Sequence, residues 1–117
     1  MPYMLLIVEP LGQRRERGPE AGQVAYQQML DYGAQMEAAG VLLASNSLAA
    51  PARRLQLRDG AARWTDGPFA EAKEMVGGFF YLNCATREQA QAWAERCPAA
   101  SWCSVEVREV APCFDDG

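Results

Sequence analysis

Asp66, Glu71, Lys73 and Glu74 fall within a nine-residue run, and in a chain with no histidine these three carboxylates and a lysine are its densest acid/base group. Glu71 and Glu74 are three apart, so a helix through this stretch places them on one face. Two carboxylates held close repel each other, which raises the pKa of one and suits it to general-acid work. With Asp66 they also have the oxygen chemistry to chelate Mg²⁺ or Ca²⁺, while Lys73 neutralises part of the charge. Asp66, Glu71 and Glu74 are the catalytic candidates, and all four residues are candidates for the polar wall of a ligand site. No metal site and no cofactor is assigned. A structural reading runs beside the chemical one. Asp66-Gly67 makes a turn, Pro68 presets entry into a short helix over 70–75, and Phe69 anchors it.

Other chemistry has less support. A serine or cysteine nucleophile lacks its usual histidine base. Gly77-Gly78 precedes a strand rather than a helix, the wrong context for a phosphate loop. Arg108 is a quieter candidate. Alternation along Ser104 to Val110 puts Glu106 and Arg108 opposite Val105 and Val107, on the sheet face turned away from the helices. There Arg108 either pairs structurally or binds an anionic ligand group.

The elements that would position these residues follow from hydrophobic period. Tyr3 to Glu9 reads as a strand that is apolar on both faces, as does Phe79 to Cys84. Residues 11–23 read as a loop rich in glycine and charge. Val24 to Ala39 reads as an amphipathic helix with Tyr26, Met29, Tyr32 and Met36 on its buried stripe, and Gly40 follows as a C-terminal cap. Val41 to Ser47 is a strand. Leu55 and Leu57 alternate with polar residues toward an Asp59-Gly60 hairpin turn, and Ala61 to Thr65 returns. Thr86 to Gln89 opens a second helix with a capping box, and Pro98 stops it. Ser104 to Val110 is the last strand, and 111–117 is a short acidic tail.

The resulting order, β-α-β-β-(short helix)-β-α-β, predicts an α+β, ferredoxin-like fold in which two helices cover one face of an antiparallel sheet. The other face would be bare although the first strand and the Phe79 to Cys84 strand are apolar on both sides. A second copy laid sheet to sheet covers it, so a homodimer is expected.

With 117 residues, half of them hydrophobic, the chain is expected to be one domain over 1–117 with a core of its own. Its net charge of −4 and pI near 4.8 oppose binding to nucleic acid or to an anionic membrane. Met4 to Val8 is too short for a membrane span or a signal-peptide core. The four cysteines, at 84, 97, 103 and 113, form no C-x-x-C pair and read as thiols of a reducing compartment, with Cys113 the accessible one. A cytoplasmic location is expected.

The run D-G-P-F-A-E-A-K-E at 66–74 is followed by G-G-F-F at 77–80. Further pieces are Y-M-L-L at 3–6, E-A-A-G-V-L at 37–42, A-W-A-E-R-C-P at 92–98 and V-E-V-R at 105–108. On these pieces, from Tyr3 to Val110, the chain resembles the DGPF-domain branch of the YCII-related proteins. The resemblance implies a ferredoxin-like fold of the dimeric α/β-barrel type in a small bacterial protein, from a family largely of unassigned function. YCII-like relatives are read as enzymes from a His–Asp pair in a cleft, and one removes chloride from a lactone. That pair has no counterpart here, and Ala72 stands where the family motif usually carries Thr. DGPF proteins often lie beside, or fused to, extracytoplasmic-function sigma factors, which implies such a factor as a partner.

The leading expectation is a homodimer that binds a small polar or anionic ligand near 66–74, with Arg108 as an anion partner. Two alternatives stand beside it. One is an accessory module of a sigma factor, and the other is a small lyase or dehalogenase-like enzyme using carboxylate acid/base chemistry.

Overall fold

The computed structural model describes residues 2–114. The end of the expected acidic tail, 115–117, lies outside the described residues.

Strand β1 (Tyr3–Pro10) runs into a short helix α1 (Gln13–Arg17) and then a long one, α2 (Pro19–Ala38). Strands β2 (Leu42–Ser47), β3 (Arg53–Arg58), β4 (Ala61–Asp66) and β5 (Glu74–Leu82) follow. Helix α3 (Arg87–Glu95), a 3-10 turn (Pro98–Ser101) and β6 (Ser104–Glu109) complete the chain. The main sheet has the order β2-β5-β1-β6 with every neighbouring pair antiparallel, and β3 and β4 form a separate two-stranded sheet. This is the ferredoxin-like arrangement with an extra hairpin inserted before β5. The two strands that are apolar on both faces, β1 and β5, are the two in the middle, where neither edge nor face is fully open to water.

Tyr3, Leu5 and Ile7 of β1 point to the helix side. They join Phe80 and Leu82 of β5, Tyr32 and Met36 of α2, and Ala90 of α3 in the core. Tyr32 is the pivot of this cluster. Its ring meets Phe80 edge-on with centroids 5.2 Å apart, and its hydroxyl donates to the Trp93 carbonyl at 2.5 Å. Burial pushes its pKa well above the usual phenol value, so the hydroxyl stays a proton donor. On the other side of the sheet, register puts Met4 beside Tyr81 and Arg108, and Leu6 beside Phe79 and Glu106. Those four apolar side chains are only half-buried.

Three sequence expectations change. Residues 11–23 are not a loop: α1 and the first turn of α2 occupy most of them. Pro19 sits at the first helical position, where its missing N–H is harmless, and Gly18 (φ 82°) separates the helices. The apolar stripe starts only at Tyr26, and the first turn of α2 before it, with Pro19 and Gly22, faces open space rather than core. The expected helix at 70–75 is a turn closed by an Ala72 N–H to Phe69 carbonyl bond of 3.0 Å. From Glu74 onward the backbone is already paired with β1. Gly77 and Gly78 then lie inside β5 rather than before it. The Asp59-Gly60 turn forms as expected, with φ of 53° and 76°, and the Thr86 hydroxyl accepts from Gln89 N–H at 3.2 Å to cap α3.

Candidate functional site

The C-terminal half of α2 is pinned to the sheet by Tyr32 and Met36, but its N-terminal half stands off. A cleft of about 1090 Å³ opens between that half and the helix-side face of β1, β5 and β2, closed at one end by α1, Trp102 and Cys103. Its walls are largely apolar, with Tyr26, Met29, Leu30, Phe80 and Trp102, while Glu9, Arg14, Ser45 and Asn46 supply polar groups. The N-terminal half of the Tyr26–Met36 stripe, expected to be core, is cleft lining. Tyr26 is half-exposed there.

Glu9 is the one buried charged side chain among the described residues, 7% exposed. Strand alternation puts it on the same face as Leu5 and Ile7, at the cleft floor. Nε of Arg14 lies 2.6 Å from its Oε1. The N–H is not aligned on that oxygen, however, and Oε1 has no hydrogen-bond partner. A buried carboxylate normally recovers its lost hydration through two or more hydrogen bonds. Glu9 has ionic contact without them, so its carboxylate keeps unused acceptor capacity at the floor of the cleft.

Two local devices hold this pair. First, β5 carries a bulge. Ile7 pairs with Gly78 and Val8 with Val76, so Gly77 is the extra residue. A Cβ at Gly77 would lie 2.8 Å from Cδ of Glu9 and 3.0 Å from Nη2 of Arg14. Gly77 is thus glycine because the carboxylate lies against its backbone. Second, α1 is tied down through Gln13, which donates to the Trp102 carbonyl at 2.5 Å and accepts from Arg17 and Cys103. That anchorage brings Arg14 over Glu9, with Nη2 donating to the Gly77 carbonyl at 3.4 Å. Arg17 stacks on Trp102 at 5.5 Å. The Cys103 thiol, at the cleft wall, is pushed up in pKa by burial and by the Glu9 charge. It stays protonated at neutral pH.

The residues expected at the site lie elsewhere. Asp66, Glu71, Lys73 and Glu74 are all exposed, and none lines the cleft. Asp66 ends β4 and pairs with Arg53 at 2.7 Å, and Glu71 is held by Arg54. Glu71 and Glu74 share no helical face, since one is in a turn and the other in a strand. The acidic residues do not converge, and no group among the described residues could hold a metal ion. Arg108 is exposed on the face of the sheet opposite the cleft, beside Met4. The 66–74 motif is instead organised by arginine: Arg54 lies 3.8 Å over the Phe69 ring while it binds Glu71. The hydrogen bond from Arg54 holds the Glu71 carboxyl below the usual range. Glu71 should therefore titrate below a free glutamate in an NMR pH series, and Arg54→Ala should raise its midpoint. The stabilisation from this contact is complete above the free-glutamate pKa and is lost as pH falls through the lowered one.

Glu9 and Arg14 escaped the sequence reading, although a signal existed. Glu9 is a carboxylate on the apolar parity of the central strand. Arg14 belongs to a basic group with Arg15 and Arg17 that Glu16 and Glu20 dilute, a local pattern no different from a solvated surface.

A family model for the YCII-related domain matches residues 1–113. The chain belongs to the YCII-related family. No curated protein sequence matches it. Among solved structures it is similar to a 5-chloro-2-hydroxyhydroquinone dehydrochlorinase from Burkholderia phenoliruptrix AC1100, in complex with 2,5-dihydroxybenzoquinone. The two share 15% identity with a TM-score of 0.55, over 95% of this chain and 94% of the other. At that identity the likeness speaks for the YCII-type ferredoxin-like fold. No helix among the described residues is long and apolar enough to cross a membrane.

Proposed function

We propose that this YCII-related chain binds a small polar ring compound in the cleft between α2 and the sheet, with Glu9 accepting a hydrogen bond from it. The observation that carries this reading is the buried Glu9 carboxylate, in ionic contact with Arg14 but short of hydrogen-bond donors, at the floor of a largely apolar cleft. Such a site favours a ligand that is flat and apolar over most of its surface but presents a hydroxyl at one end. Arg14 and Arg17 favour a negative charge on the same molecule. The structural neighbour's ligand, a quinone ring with two hydroxyls, has this character and supports the reading.

The same carboxylate favours the catalytic alternative over the accessory one. A desolvated carboxylate facing a bound hydroxyl or acidic C–H can take its proton, and electrons released into the ring can expel a leaving group such as chloride. Glu9, rather than Glu71 or Glu74, is the base in that reading.

We also propose that the half-buried apolar side chains Met4, Leu6, Phe79 and Tyr81 are covered by a second copy of the chain. Free cysteines at 84, 97, 103 and 113 fit a cytoplasmic protein.

Thermal-shift and calorimetric titration with 2,5-dihydroxybenzoquinone and a set of hydroxybenzoates tests the ligand reading. Binding is expected for the wild-type chain, with Glu9→Ala weakening it at least tenfold and Glu71→Ala leaving it unchanged. At 100 times its Kd a ligand adds about 2.7 kcal/mol of stability, a shift of several degrees. Failure of every ring compound to move the melting curve would return the chain to the accessory role beside a sigma factor.

A further inference from the structure

The β3–β4 hairpin is an arm without a partner. Of its twelve strand residues only Arg54 is even half-buried, and the main sheet shares no strand pairing with it. It makes the molecule extended, with a radius of gyration of 16.1 Å against about 13 Å for a compact chain of 100 residues. Its two faces differ. Register places Leu55 opposite Trp64 and Leu57 opposite Ala62 on one face, and Gln56 opposite Arg63 on the other. Leu55, Leu57 and Trp64 are 48%, 66% and 54% exposed. A lone two-stranded hairpin is marginal in water, and three large apolar side chains on one face of it need a cover.

Charge identifies the cover. Residues 53–66 hold four arginines against two aspartates, so the rest of the chain carries the whole net charge of −4 and two negative charges more. Arg53 and Arg54 are paired with Asp66 and Glu71, and Arg58 and Arg63 lie on the face opposite Leu55, Leu57 and Trp64. Their charge therefore steers the arm toward an acidic body and away from another arm without lying in the contact itself. The acidic body available in equal amount is another copy of the same chain.

We infer that the β3–β4 arm reaches across and lays its Leu55, Leu57 and Trp64 face on the body of a second copy, each chain clasping the other. The inference rests on the dimer proposed above and adds the arm as a second contact. A stable dimer needs about 800 Å² per partner, more than three side chains supply, so arm and outer sheet face act together. The arm's role is to lock an association that the sheet face begins.

Sedimentation equilibrium of the full chain, with hydrogen exchange read over the same concentrations, tests it. The expected result is a dimer whose formation protects the amides of 53–66. Leu57→Glu should weaken it at least tenfold, Leu57→Gln should weaken it less, and added salt should weaken the wild type. Position 57 is mostly exposed, so both variants should melt as the wild-type monomer does. A dimer whose arm amides stay unprotected and whose affinity ignores Leu57→Glu would overturn the arm and leave the sheet-face dimer standing. A chain that stays monomeric throughout would overturn both.

Discussion

Gly77→Ala is expected to lose ring-compound binding as completely as Glu9→Ala does, although residue 77 has no side chain to offer a ligand. The added methyl falls on the Glu9 carboxylate and the Arg14 guanidinium. Pairing with β1 holds that stretch of β5 in place, so the backbone cannot retreat and the carboxylate must swing aside. Forcing an atom into a packed site costs about 1–3 kcal/mol. The low end applies here, because Glu9 can move more easily than a core side chain. A double-mutant cycle separates this account from a general intolerance of the strand. Once Glu9→Ala has removed the carboxylate, Gly77→Ala should cost much less. Equal costs in both backgrounds, measured by denaturant unfolding, would mean that the bulge needs glycine for a reason unrelated to Glu9. Gly78 serves as the contrast. A Cβ there meets the Asn46 carbonyl at 2.9 Å, which is backbone of β2, so its substitution should disturb strand pairing whatever stands at position 9.

Met36→Ala should have the largest effect on stability, about 2–5 kcal/mol. Met36 is fully buried in α2, one turn from Tyr32, and packs in the core with Leu5, Phe80 and Leu82. Its loss empties the one region where α2 is held to the sheet. The cavity cannot be closed by simple collapse, because the other half of the helix already stands off to form the cleft. Chemical unfolding should show a large drop in midpoint. Ligand binding should weaken too, as the cleft wall loses its fixed end. A drop under about 1 kcal/mol would mean that α2 is anchored mainly by its Tyr32 hydrogen bond and not by packing.

The ferredoxin-like order was legible because the strands and α3 carry local signals. These include the doubly apolar runs of β1 and β5, the Asp59-Gly60 turn, and the Thr86 cap with its partner at Gln89. Even the side of the sheet occupied by Arg108 followed from strand alternation alone. The helical character of 13–23 was not legible, since short polar helices held by long-range contacts such as Gln13 to Trp102 show no hydrophobic period.

The site divides in the same way. Local sequence determined the Asp66-Gly67 turn, the charge that follows it and the YCII-related family, but the short helix expected over 70–75 is a turn. Charge density along a chain does not measure burial, however, and Arg53 and Arg54 turn out to occupy Asp66 and Glu71 at the surface. Only the tertiary structure decided that Glu9 from β1, Arg14 from α1 and Gly77 from β5 meet at the floor of one cleft. That meeting depends on a one-residue bulge and on how far one end of α2 stands from the sheet. Both are outcomes of packing between segments distant in sequence, where no local pattern records them.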